Sequence, residues 1–198
     1  MDSYRFAEGT APLLVSMPHV GTALPEDLAG RLTPAALAVP DTDWHVDRLY
    51  DFLPALGASV IQANYSRYLI DLNRPPDGTP LYPGASETEL CPSSTFADQP
   101  LYRDGGKPGA DEIAARRERT WRPYHARLAQ ELECLETRHG RVLLWDAHSI
   151  RSEVPRFFAG RLPDLNLGTG DGTSCDPALA ALLEQRAAAS GYSHALDG

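Results

Sequence analysis

The chain has 198 residues, 42% of them apolar, and a formal net charge of −9. That length accommodates one domain with a sizeable core, and the negative balance opposes nonspecific binding to phosphate backbones or anionic membranes, so neither nucleic acid nor a membrane is an expected partner. No apolar run approaches the roughly 18 residues of a membrane span, and the N-terminus shows no basic stretch leading into an apolar one, so a cytoplasmic location is expected.

In chain order, "PLLVSM" (12–17) reads as a buried strand bounded by proline, and residues 33–38 as a short helix. "DTDWHVDRLYDFLPALG" (41–57) suggests a second helix, with Val46, Leu49, Tyr50 and Leu53 on one buried face and Gly57 closing it. "ASVIQANY" (58–65) and "RYLIDLN" (67–73) look like two strands. Residues 75–109 are dense in proline, glycine and serine, which marks either a surface excursion or a substrate-enclosing lid. Residues 110–138 form the clearest helix, which Pro123 must kink or divide, and Glu112 and Glu118 read as solvated positions on it. "RVLLWDAH" (141–148) is a strand, and "CDPALAALLEQRAAAS" (175–190) a helix with Asp176 as N-cap and Pro177 behind it. Strands alternating with helices predict an α/β fold with helices on both faces of a mixed, mostly parallel sheet, and ligands bind such sheets at the carboxyl ends of the strands.

Two histidines fall at such ends. His19 in "SMPHVGT" follows the first strand, and His148 in "DAHSI" follows the strand 142–146. One histidine so placed is more often a structural residue, but two in matching positions favour a metal pair. A catalytic zinc site adds a third protein ligand and keeps one position open. Asp43 can supply a carboxylate from the first turn of the 41–57 helix, although an N-cap role is also open to it, and Asp41 or His45 could substitute. Asp146 lies two residues before His148, on the same side of an extended strand, and could orient that imidazole. "SRYLIDLNR" (66–74) brings Arg67, Asp71, Asn73 and Arg74 together. An arginine there can hold a substrate carboxylate; alternatively, Asp71 and Arg74 simply pair at the sheet edge. Lys107 is the only lysine, and the arginine bias suits carboxylate recognition, though a GC-rich coding sequence gives the same bias. Cys91, Cys134 and Cys175 are widely spaced with no CxxC pair, which reads as reduced thiols.

Together "PHVGT", "DTDWHVDRLYD", "SRYLIDLNR", "LLWDAHSI" and "LPDLNLGTGDGTSC", with "LYPG" and "WRPYH" between them, resemble the N-formylglutamate amidohydrolase (deformylase) family along essentially the whole chain. The resemblance implies a three-layer, zinc-carboxypeptidase-like (phosphorylase/hydrolase-like) α/β fold. It implies metal-dependent hydrolysis of a small N-acyl amino acid, N-formyl-L-glutamate, to formate and L-glutamate in histidine degradation. By position, His19 and His148 match the first and last ligands of zinc or another divalent metal, and Asn73 and Arg74, with Arg67 nearby, match the substrate-binding residues. Relatives with an HxxE ligand pair keep a glutamate where this chain has Thr22, so Asp43 is expected to complete the metal site. The general-base glutamate is expected beyond Gly198, which makes residues 1–198 a single amidohydrolase domain, C-terminally incomplete and of little activity by itself. Two other expectations remain open: a hydrolase of another N-acyl amino acid or peptide, and a nonenzymatic module that binds metal or ligand.

Overall fold

A computed structural model of the chain describes residues 1–79 and 87–197. The centre of the expected lid, residues 80–86, lies outside the described residues. The chain forms two compact units, Met1–Ile150 and Arg151–Gly198.

The first unit is built on four strands, β1 (Tyr4–Ala7), β2 (Leu13–Met17), β3 (Ser59–Ala63) and β4 (Leu143–Asp146), in the order β1-β3-β2-β4. β3 and β4 run parallel to β2, and β1 is antiparallel to β3. The sheet is therefore mixed and mostly parallel. Successive side chains of a strand face opposite ways, and the central strands are apolar on both sides. Leu14, Ile61 and Ala63 pack with Tyr124, Leu128, Leu132 and Leu135 of α5 (Arg122–His139). Val15, Met17 and Val60 face Val46 of α3 (Val46–Leu49), Tyr50, and Leu53 of the 3-10 turn Leu53–Leu56. Helical segments thus cover both faces, and burying each of these large side chains contributes about 1.5–3 kcal/mol. Two one-turn helices, α1 (Glu26–Ala29) and α2 (Pro34–Leu37), complete the region between β2 and β3.

Several expected elements differ. Residues 41–57 are not one helix: His45 adopts φ 66° at the N-terminus of α3, and Pro54, which has no N–H to donate, is the second residue of the 3-10 turn. Val46 and Leu53 are buried as expected, but Leu49 is 70% exposed. The segment 67–73 is a series of turns and not a strand. Its carbonyls bond to helix side chains: Arg116 donates to Leu69 O, and His125 to Leu72 O. The long helix is α4 (Ala110–Arg116), a π-turn (Arg117–Trp121) and α5. Pro123 would clash with the carbonyl four residues before it in a regular helix, and the wider π-turn absorbs that conflict. The flanks of 75–109 are no mere surface excursion, because Leu90, Cys91, Phe96, Leu101 and Tyr102 are buried.

The second unit pairs β5 (Leu165–Leu167) in parallel with β6 (His194–Leu196), and α6 (Pro177–Ala189) lies between them in sequence. Asp176 caps α6 by accepting the Ala178 N–H at 2.8 Å.

Candidate metal centre

β2 ends at Met17 and β4 at Asp146, so His19 and His148 each lie two residues past the carboxyl end of their strand. Because β2 and β4 are adjacent and parallel, with Ser16 opposite Asp146, His19 and His148 follow that pair by three and two residues, which brings the two imidazoles together. Their ring centroids are 4.9 Å apart. The Asp43 N–H donates to His19 O at 3.0 Å, which ties the segment before α3 to the first histidine. Asp43 Oδ2 then lies 2.9 Å from His148 Nδ1 and 3.8 Å from His19 Nδ1. One ligand atom from each of His19, Asp43 and His148 lies within 4.8 Å of the others, a spacing at which they could hold a metal ion. Of the alternatives, Asp41 is turned to other partners, accepting from Tyr68 Oη at 2.6 Å and Phe96 N at 2.9 Å. His45 is exposed.

Each imidazole is held from behind by a carboxylate. His19 Nε2 lies 2.7 Å from Asp71 Oδ1, and His148 Nε2 lies 2.9 Å from Asp146 Oδ2. Both rings therefore turn Nδ1 toward Asp43 and Nε2 toward a carboxylate, an arrangement that fixes the tautomer of a metal-binding histidine. Asp71 is fully buried and also accepts from Arg67 Nη2 at 2.5 Å and from the Asn73 N–H at 2.9 Å. It is bound to Arg67 and His19, not paired with Arg74 at a sheet edge.

Burial is the largest single influence on Asp71 and disfavours its charged form, but the Arg67 guanidinium together with His19 outweighs it and holds the carboxyl well below the usual range. Burial, reinforced by Arg67, pushes His19 down, so its ring is neutral and donates from Nε2. His148 differs. Burial again pushes it down, yet hydrogen bonds to Asp146 and Asp43 prevail and raise its pKa to about 10.

Of the residues expected to meet the substrate, the exposed Asn73 places its amide nitrogen 3.2 Å from His148 Nε2. The half-buried Arg74 donates from Nε to Thr88 O at 2.9 Å and from Nη1 to Asn73 O at 2.7 Å. Arg74 also lines a cavity of about 460 Å³ with Lys107 and Arg117; among the described residues the lining includes none of His19, Asp43 and His148. Arg67 stands behind Asp71, 6% exposed, its guanidinium 4.8 Å from the centre of the Phe96 ring. The structure thus gathers His19, Asp43, His148 and Asn73, continues into Arg74, and sets Arg67 one layer back. Sequence reasoning missed Asp71 as the partner of His19, although an aspartate closing the apolar run 68–70 was a usable signal.

A family model described as N-formylglutamate amidohydrolase matches residues 11–198. The chain is 55% identical to an N-formylglutamate deformylase of Pseudomonas aeruginosa over 98% of its own length and 73% of that protein. It is 52% identical to an N-formylglutamate deformylase of Pseudomonas putida, over 98% of this chain and 72% of the relative. Among solved structures, an N-formylglutamate amidohydrolase from Ralstonia eutropha superposes with a TM-score of 0.83 at 31% identity, covering 100% of this chain and 76% of that one. A gene product of Agrobacterium tumefaciens, at 18% identity and a TM-score of 0.73 over 99% of this chain and 73% of its own, shares the fold. The chain belongs to the N-formylglutamate amidohydrolase family.

Proposed function

We infer that the protein hydrolyses the formamide of N-formyl-L-glutamate to formate and L-glutamate, and that it does so with a divalent metal, zinc being the first candidate, held by His19, Asp43 and His148. Family membership and the two deformylase relatives support the reaction. The observation that carries the metal is the donor set: two imidazole nitrogens and one carboxylate oxygen within 4.8 Å, each imidazole backed by a carboxylate. Two histidines and a carboxylate with a further position left open are a catalytic zinc pattern. Such an ion supplies Lewis acidity toward the formyl oxygen and an acidified water.

The protein's own groups do the rest. Asp71 and Asp146 aim the two rings. Asn73, beside His148, can donate to the substrate amide, and Arg74, its guanidinium fixed by two backbone carbonyls, offers a planar fork to a glutamate carboxylate. Arg67 adds positive charge behind Asp71. The wider proposal includes the zinc-carboxypeptidase-like fold, for which helical cover on both faces and a site at strand carboxyl ends speak. It also includes cytoplasmic residence, consistent with three free cysteines, and a late place in histidine degradation.

The test is metal stoichiometry in the wild type, His19→Ala and Asp43→Ala, combined with formate release measured against release of longer acids from N-acylglutamates. We expect near-stoichiometric metal in the wild type, loss in both variants, and preference for the formyl substrate. Undiminished metal in both variants would sink the metal site, and preference for a longer acyl group would sink the substrate assignment.

A further inference from the structure

Four side chains of the α4–α5 helix donate to backbone carbonyls of one irregular segment. Arg116 reaches Leu69 O at 2.8 Å, His125 reaches Leu72 O at 2.8 Å, Trp121 reaches Arg74 O at 2.9 Å, and Arg117 reaches Pro76 O at 2.9 Å. A carbonyl only accepts, so His125 must carry its proton on Nε2. The Trp121 and His125 rings stack, with centroids 3.8 Å apart, and the carbonyls they take are those of the residues flanking Asn73. The Asn73 N–H is itself held by Asp71, so the backbone is restrained before, at and after the residue whose amide lies beside His148.

The π-turn makes this grip possible. In a regular helix of 3.6 residues per turn, positions five apart fall on different faces, whereas the i→i+5 register of a π-turn brings them together. Arg116 and Trp121 are five apart across the turn Arg117–Trp121, and both reach the same segment.

We propose that the α4–α5 helix is a backbone clamp and that Trp121 and His125 are positioning residues, setting the placement of Asn73 through the carbonyls of Leu72 and Arg74. The inference rests on the reading above in which Asn73 faces the substrate. Neither side chain touches the candidate ligands, so their loss leaves the metal in place while the substrate-side amide drifts.

The experiment compares His125→Leu, His125→Gln and Trp121→Phe in the wild-type and Asn73→Ala backgrounds, following kcat, KM, metal content and hydrogen exchange of the 69–76 segment. A displacement of about 1 Å can lower a rate about 100-fold. We therefore expect His125→Leu and Trp121→Phe to lower kcat about 10- to 100-fold with metal content unchanged, and His125→Gln, which keeps a donor of similar reach, to recover most of the loss. In the Asn73→Ala background the same substitutions should have little further effect. Equal fold-losses in both backgrounds, or metal lost together with rate, would overturn the positioning role. Exchange gives an arm independent of substrate identity: faster exchange at 69–76, with β2 and β3 unaffected, supports the clamp even for an enzyme with a different substrate. Unchanged exchange in both His125→Leu and Trp121→Phe overturns it.

Discussion

At the scale of single residues, Asp71 concentrates the most consequence. It is fully buried between a buried arginine and a candidate ligand, and accepts from Arg67, Asn73 and His19 at 2.5, 2.9 and 2.7 Å. Asp71→Asn removes the charge opposite Arg67, and breaking one side of a buried pair destabilises by about 3 kcal/mol or more. It also releases His19 from its enforced tautomer, which for such outer carboxylates weakens metal binding about 10- to 100-fold. Urea unfolding of the metal-free protein and direct metal titration would each register the change; wild-type metal affinity in the variant would refute the orienting role. His148 sets the pH dependence. Burial lowers its pKa, but the bonds to Asp146 and Asp43 raise it to about 10, so the metal-free protein carries an imidazolium at neutral pH. An ion taken at Nδ1 must displace that proton, so apparent affinity should rise with pH, by about tenfold per unit at values below the pKa. Titrations at several pH values would show the slope, and a flat profile would contradict the assignment of Nδ1.

At the scale of elements, the site follows from two neighbouring parallel strands that end within one residue of each other, and the glycine in "PHVGT" keeps the first of them in place. A Cβ on Gly21 would lie 2.3 Å from Tyr65 O, because the chain after His19 runs against residues 64–66, with Ala23 N donating to Asn64 O and Ser66 N to Ala23 O. The obstacle is backbone and cannot rotate away. Gly21→Ala should therefore destabilise by about 1–3 kcal/mol and weaken metal binding by displacing His19; an unchanged urea midpoint would refute the close approach. β2, β3 and β4 were legible as short apolar runs, and α6 by its cap. β1, β5 and β6, of 4, 3 and 3 residues, are too short for any alternation to be read. Residues 67–73 misled because their apolar run is real, while the side chains that capture its carbonyls come from about 50 residues downstream, as with His125 and Leu72 at a separation of 53. The histidines were legible from their position after strands. Asp43 was reached by helix spacing, yet α3 starts only at Val46, and what places Asp43 is its backbone bond to His19.

At the scale of the whole molecule, most arginine–carboxylate pairs among the described residues are local in sequence, but one ties a helix carboxylate to an arginine far away in sequence. Glu112 read as a solvated helix residue, but it bridges Arg31, just beyond α1, and Arg116 at the end of α4. Arg31 Nη1 and Nη2 reach its two oxygens at 2.9 and 2.5 Å, and Arg116 Nη2 reaches Oε1 at 2.6 Å. A helix surface pattern contains no trace of a partner 81 positions away. The hydrogen bond from Arg31 is the main cause that lowers the Glu112 pKa from 4.5 to about 2. A carboxyl depressed by folding stabilises the native state above its unfolded pKa, and loses that contribution as pH falls toward the folded value. Because the side chain is 33% exposed, solvent screening reduces the effect. Glu112→Gln should accordingly lower stability by about 1 kcal/mol at neutral pH. The difference from wild type should fall below half by about pH 3 and vanish only below about pH 2, where both side chains are neutral. Urea midpoints of the two proteins across that range would decide it. A difference that stayed constant with pH would mean that packing, and not the charge on Glu112, holds these two segments together.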